Sequence, residues 1–209
     1  KLWGIHPLMV KTLIKAKFPK FYPRFISTSR ARVIPSLENQ KSNITYQRNK
    51  NLSNYIGIDL GTTYSAVATI DATGRPKIIE NNGKSITPSC VMLENDKLIV
   101  GEIPEKRYGM PGFDVGARFK RYMGEEHTTQ LGSKSFTPTD LSAAVLKEML
   151  NIAKSQLGEV SEAVITIPAN FMQEARDATL HAAEKAGIKV NYIINEPTAA
   201  ALFYGHQEG

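Results

Sequence analysis

The chain has 209 residues, of which 42% are hydrophobic and 22% charged, enough for one or two small globular domains and unlike a low-complexity chain. Its single cysteine, Cys90, excludes an internal disulfide and fits a reducing compartment. No apolar run approaches the roughly 18–20 residues of a membrane span, so no membrane partner is expected.

The net charge of +6 is a sum of two unlike parts. Residues 1–54 carry 11 Lys and Arg against one acid, Glu38, whereas residues 55–209 carry 15 basic and 19 acidic side chains. The basic character therefore belongs to the N-terminal arm. The remainder gives no electrostatic reason to expect nucleic acid. The four histidines, His6, His127, His181 and His206, have no metal-like spacing among themselves or with Cys90.

The arm lacks sustained periodicity, and Pro19 and Pro23 interrupt any helix. Three readings fit it: a mitochondrial-type transit peptide, a basic tail for membrane or RNA, or translated upstream sequence. The last is preferred, because Leu52-Ser53-Asn54-Tyr55 stands directly before the first strand and the chain does not open on Met. Residues 1–51 are accordingly set outside the fold. A cytoplasmic protein is expected, or a mitochondrial matrix one if the arm is a transit peptide.

Alternation and turn residues predict strands over Tyr55–Leu60, Ser65–Asp71 and Pro76–Glu80, with a turn at Asp71–Gly74. Between the first two lies Gly57-Ile58-Asp59-Leu60-Gly61-Thr62-Thr63-Tyr64-Ser65. Gly61 lets backbone approach a ligand without a Cβ in the way. Thr62 and Thr63 add hydroxyls beside backbone N–H groups, and Asp59 at the strand end suits hydrated Mg²⁺. This pattern suits a nucleotide phosphate tail; an ordinary hairpin has the same residues.

Cys90–Leu93 and Lys97–Val100 read as a hairpin through Glu94-Asn95-Asp96. Val115–Met123 reads as a short helix carrying Lys120 as a mobile cation. Thr137-Pro138-Thr139-Asp140 opens a helix with a Thr cap, Pro at its first position and an acid in its first turn. Leu141, Val145, Met149 and Ile152 keep helical spacing to about Leu157, and Gly158 ends the run. Ala163–Ile167 is a buried-type strand closed by Pro168. A helix over about Met172–Ala186 has a narrow alanine face and ends at Gly187. Val190–Ile194 is a further strand, and Asn195-Glu196-Pro197-Thr198 opens a last helix through Tyr204. Strands first, then strand–helix alternation, imply a layered α/β domain.

Four separated pieces could meet: Asp59 with Gly61–Tyr64, Lys120, the Pro168–Arg176 junction, and Glu196. Phosphoryl transfer needs a metal, positive charge and a positioned water more than covalent help. By itself Lys120 also reads as a solvated lysine, and Glu196 as a carboxylate at a helix N-terminus.

Gly57–Ser65 resembles the first phosphate motif of the actin-like ATPases. Ile193-Ile194-Asn195-Glu196-Pro197-Thr198-Ala199-Ala200-Ala201-Leu202 resembles the signature of the seventy-kilodalton heat-shock chaperones of DnaK type. Ala163–Ala169 and Phe119-Lys120-Arg121 agree in order and rough spacing, and the resemblance runs from Tyr55 to Gly209. It implies an actin-like, ribonuclease H-like lobe over residues 52–209, with a small inserted subdomain at about 84–137.

The resemblance further implies that Gly61, Thr62, Thr63 and Tyr64 line the phosphates of ATP or ADP. Asp59 would hold Mg²⁺ through water, with Glu196 in the outer shell. Lys120, Glu196 and Thr63 would serve hydrolysis, and Pro168 and Arg176 would form an allosteric switch. The partners implied are unfolded polypeptides and a J-domain cochaperone.

Departures from the family pattern also carry expectations. About a dozen residues separate Gly124 from Phe136, fewer than in common members and similar to the HscC-like branch. Asn170 and Met172 replace the usual Tyr and Asn. Glu184 stands where many members have an Arg that contacts J-domain cochaperones, which implies an atypical one. The sequence stops at Gly209, before the family's second phosphate motif, so residues 52–209 alone are expected to bind ATP weakly without hydrolysing it. The other readings are a sugar or acetate kinase lobe, or a truncated non-catalytic nucleotide-binding fragment.

Overall fold

The computed structural model describes residues 55–71, 75–160 and 162–195. The basic arm, most of the Asp71–Gly74 turn and the helix expected after Asn195 lie outside the described residues. Three strands form the first part of a mixed sheet: β1 (Tyr55–Asp59), β2 (Tyr64–Ile70) and β3 (Pro76–Ile78). They are joined by β10 (Glu162–Ile167) and β11 (Val190–Asn195) in the order β11-β10-β1-β2-β3. The β1–β2 and β2–β3 pairs are antiparallel, while β1, β10 and β11 run parallel. A two-residue strand, β4 (Thr87–Pro88), pairs with Tyr64 and Ser65 beyond the reach of β3.

The two α-helices expected from periodicity are present. The longer, α2 (Pro138–Leu157), follows the short helix α1 (Glu102–Arg107), and α3 (Gln173–Lys185) follows β10. Leu141, Val145, Leu146, Met149 and Ile152 of α2 are buried against Ile56 and Ile58 of β1, Val67 of β2 and Ile165 of β10. Ala182, Ala183 and Ala186 at the end of α3 join this core, and the small side chains let α3 lie close along α2. Ala178 and Ala175, one and two turns earlier, instead face Met123 and Phe171. Among the described residues no helix is long and apolar enough to cross a membrane.

Between β4 and α2 the sequence reading needs correction. The hairpin β5 (Cys90–Glu94) and β6 (Lys97–Val100) is as expected, but Val115–Ala117 is a third strand, β7, on the other edge of β5. Only Phe119–Tyr122 is helical, as a 3-10 turn. Two features overrule a helix from Val115. Gly116 is poor in a helix interior, and here a Cβ would lie 2.9 Å from Leu141 Cδ1. Arg118 then takes left-handed backbone at φ 58°, which breaks any continuous helix. The stretch from Gly124 to Phe136 holds a tight hairpin, β8 (Thr129–Leu131) and β9 (Lys134–Phe136), which also went unread.

The cap of α2 forms as its sequence requires. Thr137 Oγ1 accepts from the Asp140 N–H at 3.1 Å, and the Thr137 N–H donates to Asp140 Oδ2 at 2.9 Å. Lys185 of α3 reaches Asp140 Oδ1 at 2.6 Å, so this carboxylate also ties the two helices together. Burial alone would raise the Asp140 pKa, but bonds from Lys185 and from both groups of Thr137 outweigh it and hold the acid below its ordinary value. A depressed pKa stabilises the fold above the unfolded value and loses that contribution as pH falls through the folded one. Asp140→Asn is therefore expected to cost about 1 kcal/mol at pH 7, with the difference shrinking below roughly pH 4. Denaturant melts of both proteins across pH 3–7 check this; a pH-independent difference would refute it.

Candidate functional site

The parallel strands end at one edge of the sheet. Asp59 is level with Thr166 of β10, and Thr166 with Ile194 of β11. The ends of β1, β10 and β11 therefore lie side by side, and the segments Gly61–Thr63 and Pro168–Phe171 leave from this edge. In open α/β sheets this carboxyl edge is where ligands bind.

Asp59 is buried, on the sheet face opposite α2. Thr166, fully buried, donates its Oγ1–H to Asp59 Oδ1 at 2.7 Å. A carboxylate taken this far from water needs such partners. The sequence held a signal for Thr166, a lone hydroxyl within the apolar run Ala163–Ile167, but spacing could not say what it faced.

After Asp59 the chain makes the expected tight turn. Gly61 is buried, and its N–H donates to Ser65 Oγ at 3.2 Å. The turn presents Thr63, which is exposed, and Thr62, which is half-buried. Tyr64 begins β2, and its phenol donates to Glu105 Oε1 of α1 at 2.8 Å. That bond, followed by the Glu105 charge and by burial, raises the phenol pKa. The Tyr64 hydroxyl is thus committed to α1, and its backbone is the part that adjoins the turn.

Lys120 is buried, and it does not lie on a regular α-helix. It sits in the 3-10 turn with only 3% of its surface exposed, and its Nζ lies 5.6 Å from the centre of the Phe171 ring. An aromatic face attracts a cation, more strongly once both are out of water. Phe171 belongs to the turn after Pro168, where its N–H donates to the Pro168 carbonyl at 3.2 Å. The contact thus brings Lys120 to the junction between β10 and α3, a proximity that no motif in the sequence announced.

Arg176 stands on the first turn and a half of α3 and reaches both ways along the edge. Its Nε donates to the Phe171 carbonyl at 3.2 Å, and its Nη2 donates to Asn195 Oδ1 at 3.0 Å. It therefore joins the end of β11 to the Pro168–Phe171 turn. Glu196 follows Asn195 and lies outside the described residues.

Asp59, Gly61–Tyr64, Pro168 and Arg176 thus gather at one edge, with Lys120 held against the same junction. Among the described residues no group of three or more His, Cys, Asp or Glu could ligate a metal directly. The chemistry of the donor set suits Mg²⁺, which keeps most of its waters and takes few protein ligands. The threonine hydroxyls of half-buried Thr62 and exposed Thr63 suit phosphate oxygens.

Gly124 fixes how the 3-10 turn meets α3. It has φ 83°, and a Cβ there would fall 2.7 Å from Ala175 N and from Glu174 C, both backbone atoms that cannot move aside. Gly124→Ala is expected to lower stability by roughly 1–3 kcal/mol, from backbone strain and overpacking together. Equilibrium unfolding measures it, and an unchanged midpoint would contradict the contact. Cys90 offers a second check. Burial, and secondarily the Glu105 charge, push its thiol up to about 11 against the opposing Arg118 charge. Native protein at pH 8 should therefore alkylate about a hundredfold more slowly than urea-unfolded protein. Equal rates would contradict this environment.

The Hsp70 protein family model matches residues 55–131 and 126–209. The two matched segments meet at residues 126–131, in the stretch that leads into the β8–β9 hairpin. Members of that family are chaperone-type ATPases that use ATP or ADP with Mg²⁺, act on unfolded proteins and work with J-domain cochaperones. Their actin-like fold is the one built here around β3-β2-β1-β10-β11. The two matches together span the sheet, the turn and the strand ends, and show that the chain belongs to the Hsp70 family.

Proposed function

We propose that residues 52–209 form the N-terminal lobe of the ATPase domain of a DnaK-type Hsp70, of the HscC-like branch. The observation that carries the nucleotide reading is the meeting of Asp59, the Thr62–Thr63 turn and the Lys120–Phe171 contact at the carboxyl edge of the parallel strands. The short β8–β9 hairpin and exposed Glu184 on α3 support the branch assignment and an atypical J-domain partner.

Each residue has a role consistent with its place. Gly61–Tyr64 line the phosphates, with Thr62 and Thr63 offering hydroxyls and Thr63 nearest solvent. Asp59, oriented by Thr166, would hold hydrated Mg²⁺ through its water. Mg²⁺ supplies charge neutralisation on the phosphate tail. Lys120, stripped of water by burial, stabilises charge on the phosphoryl group as water adds to the γ-phosphorus and the bond to the leaving ADP oxygen breaks. Glu196 orients that water. Arg176 and Pro168 couple the site to the rest of the protein, since Arg176 bonds both the Pro168–Phe171 turn and Asn195. In the full protein this hydrolysis drives binding and release of unfolded polypeptides.

Lys120→Met in the intact protein is expected to lower ATP turnover by about 10²–10³-fold, the usual loss for one positioned electrostatic group. Turnover should rise on adding an unfolded peptide. Turnover that instead requires a sugar or carboxylate acceptor would replace the chaperone reading with a kinase. The fragment 52–209 alone should bind Mg·ATP weakly and not turn it over; steady hydrolysis abolished by Lys120→Met would refute that part.

A further inference from the structure

Two buried serines, Ser65 at the start of β2 and Ser89 just after β4, are not absorbed by the roles above. Their exposures are 0% and 1%. A hydroxyl placed there is worse than alanine unless its bonds are made. Among the described residues, the hydroxyl bonds of this pair lead to the turn that follows Asp59. The Gly61 N–H donates to Ser65 Oγ at 3.2 Å, and Ser89 Oγ donates to the Gly61 carbonyl at 2.8 Å. The two hydroxyl oxygens are 2.9 Å apart, and the Ser89 N–H donates to the Thr63 carbonyl at 2.7 Å.

The proton order follows from counting. Ser89 has one hydroxyl proton, and it is directed at the Gly61 carbonyl. The Ser65–Ser89 bond must then use the Ser65 proton. The result is a closed ring, from the Gly61 N–H to Ser65, from Ser65 to Ser89, and from Ser89 back to the Gly61 carbonyl. Each donor polarises the next, so such a ring is stronger than its separate bonds. It fixes the peptide groups on both sides of Gly61, while the Ser89 N–H fixes the far side of the turn at Thr63.

We infer that Ser65 and Ser89 are positioning residues for phosphate binding. They hold the backbone at Gly61 and Thr63 so that Thr62 and Thr63 meet a phosphate tail with no rearrangement on binding. The inference rests on the nucleotide reading of this turn. It adds a requirement for two hydroxyls that touch no ligand.

The test uses the full 209-residue chain with Mg·ATP as the probe. The variants are Ser65→Ala, Ser89→Ala and the double mutant. Ser142→Ala is the control, because that buried hydroxyl bonds the Met123 sulfur and not the turn. Opening a ring at either serine releases the same constraint. Each single variant should therefore weaken Mg·ATP binding by about tenfold. The double mutant should fall within about threefold of either single one, a non-additivity expected of one network. Ser142→Ala should bind as the parent does, even where its melting temperature falls equally.

Amide exchange supplies a readout that does not depend on the variants folding. In the parent, the Gly61 amide should exchange at least tenfold more slowly than that of exposed Thr63. Unprotected exchange at Gly61 overturns the ring. Parental affinity in folded Ser65→Ala and Ser89→Ala, or losses that merely follow stability as in Ser142→Ala, overturns the positioning role while leaving the nucleotide reading in place. A parent chain that neither binds Mg·ATP nor shifts its Thr62 and Thr63 amides overturns both.

Discussion

The parallel pairing of β1 with β10 is the constraint on which the other features depend. It sets Asp59 beside Thr166, and the 2.7 Å bond between them locks the register at the end where the chain turns. A slip of one residue would carry Asp59 to the α2 face of the sheet, burying a carboxylate among Ile165 and Leu146, and would turn Ile56 and Ile58 away from that core. The hydrophobic pattern and the polar pair therefore select the same register. The pairing also brings the exits of β1, β10 and β11 to one edge, which is why residues more than a hundred positions apart share a site.

Around this edge the molecule spends polar groups on holding backbone in place. Ser65 and Ser89 fix the turn after β1, and Arg176 fixes the turn after β10 and the end of β11. Tyr64 anchors the start of β2 to α1 through Glu105. Gly124 lets the 3-10 turn press on the first turn of α3, which sets Lys120 against Phe171. Phosphate chemistry rewards such an arrangement, because groups already oriented need no reorganisation when charge develops. The Lys120–Phe171 contact also joins the cation to the turn that follows Pro168.

The helices and central strands were legible because their signals are local. Thr137-Pro138 and Asp140 mark the start of α2, its apolar residues repeat at helical spacing, and Gly158 closes it. The run Ala163–Ile167 can only be a buried strand or part of a buried helix, and the flanking Pro168 decides for the strand. Val115–Ala117 misled the reading because its strand character comes from a free edge on β5 and a close approach to Leu141, neither of which is local. Short pieces such as β4 and the β8–β9 hairpin carry too few residues to show a period at all.

The sequence by itself determined the family, through Gly57–Ser65 and the Asn195–Leu202 run, and determined which residue types the site contains. It did so because a motif is read from the order of residues along the chain, which does not depend on what surrounds them in space. The tertiary structure decided which of those groups have companions. Only the sheet register shows that Asp59 answers to Thr166. Only packing shows that Lys120 is buried against an aromatic ring and not solvated. The serine ring around Gly61 likewise joins residues 61, 65 and 89. No periodicity links them, and their partnership exists only once β2 and β4 are side by side.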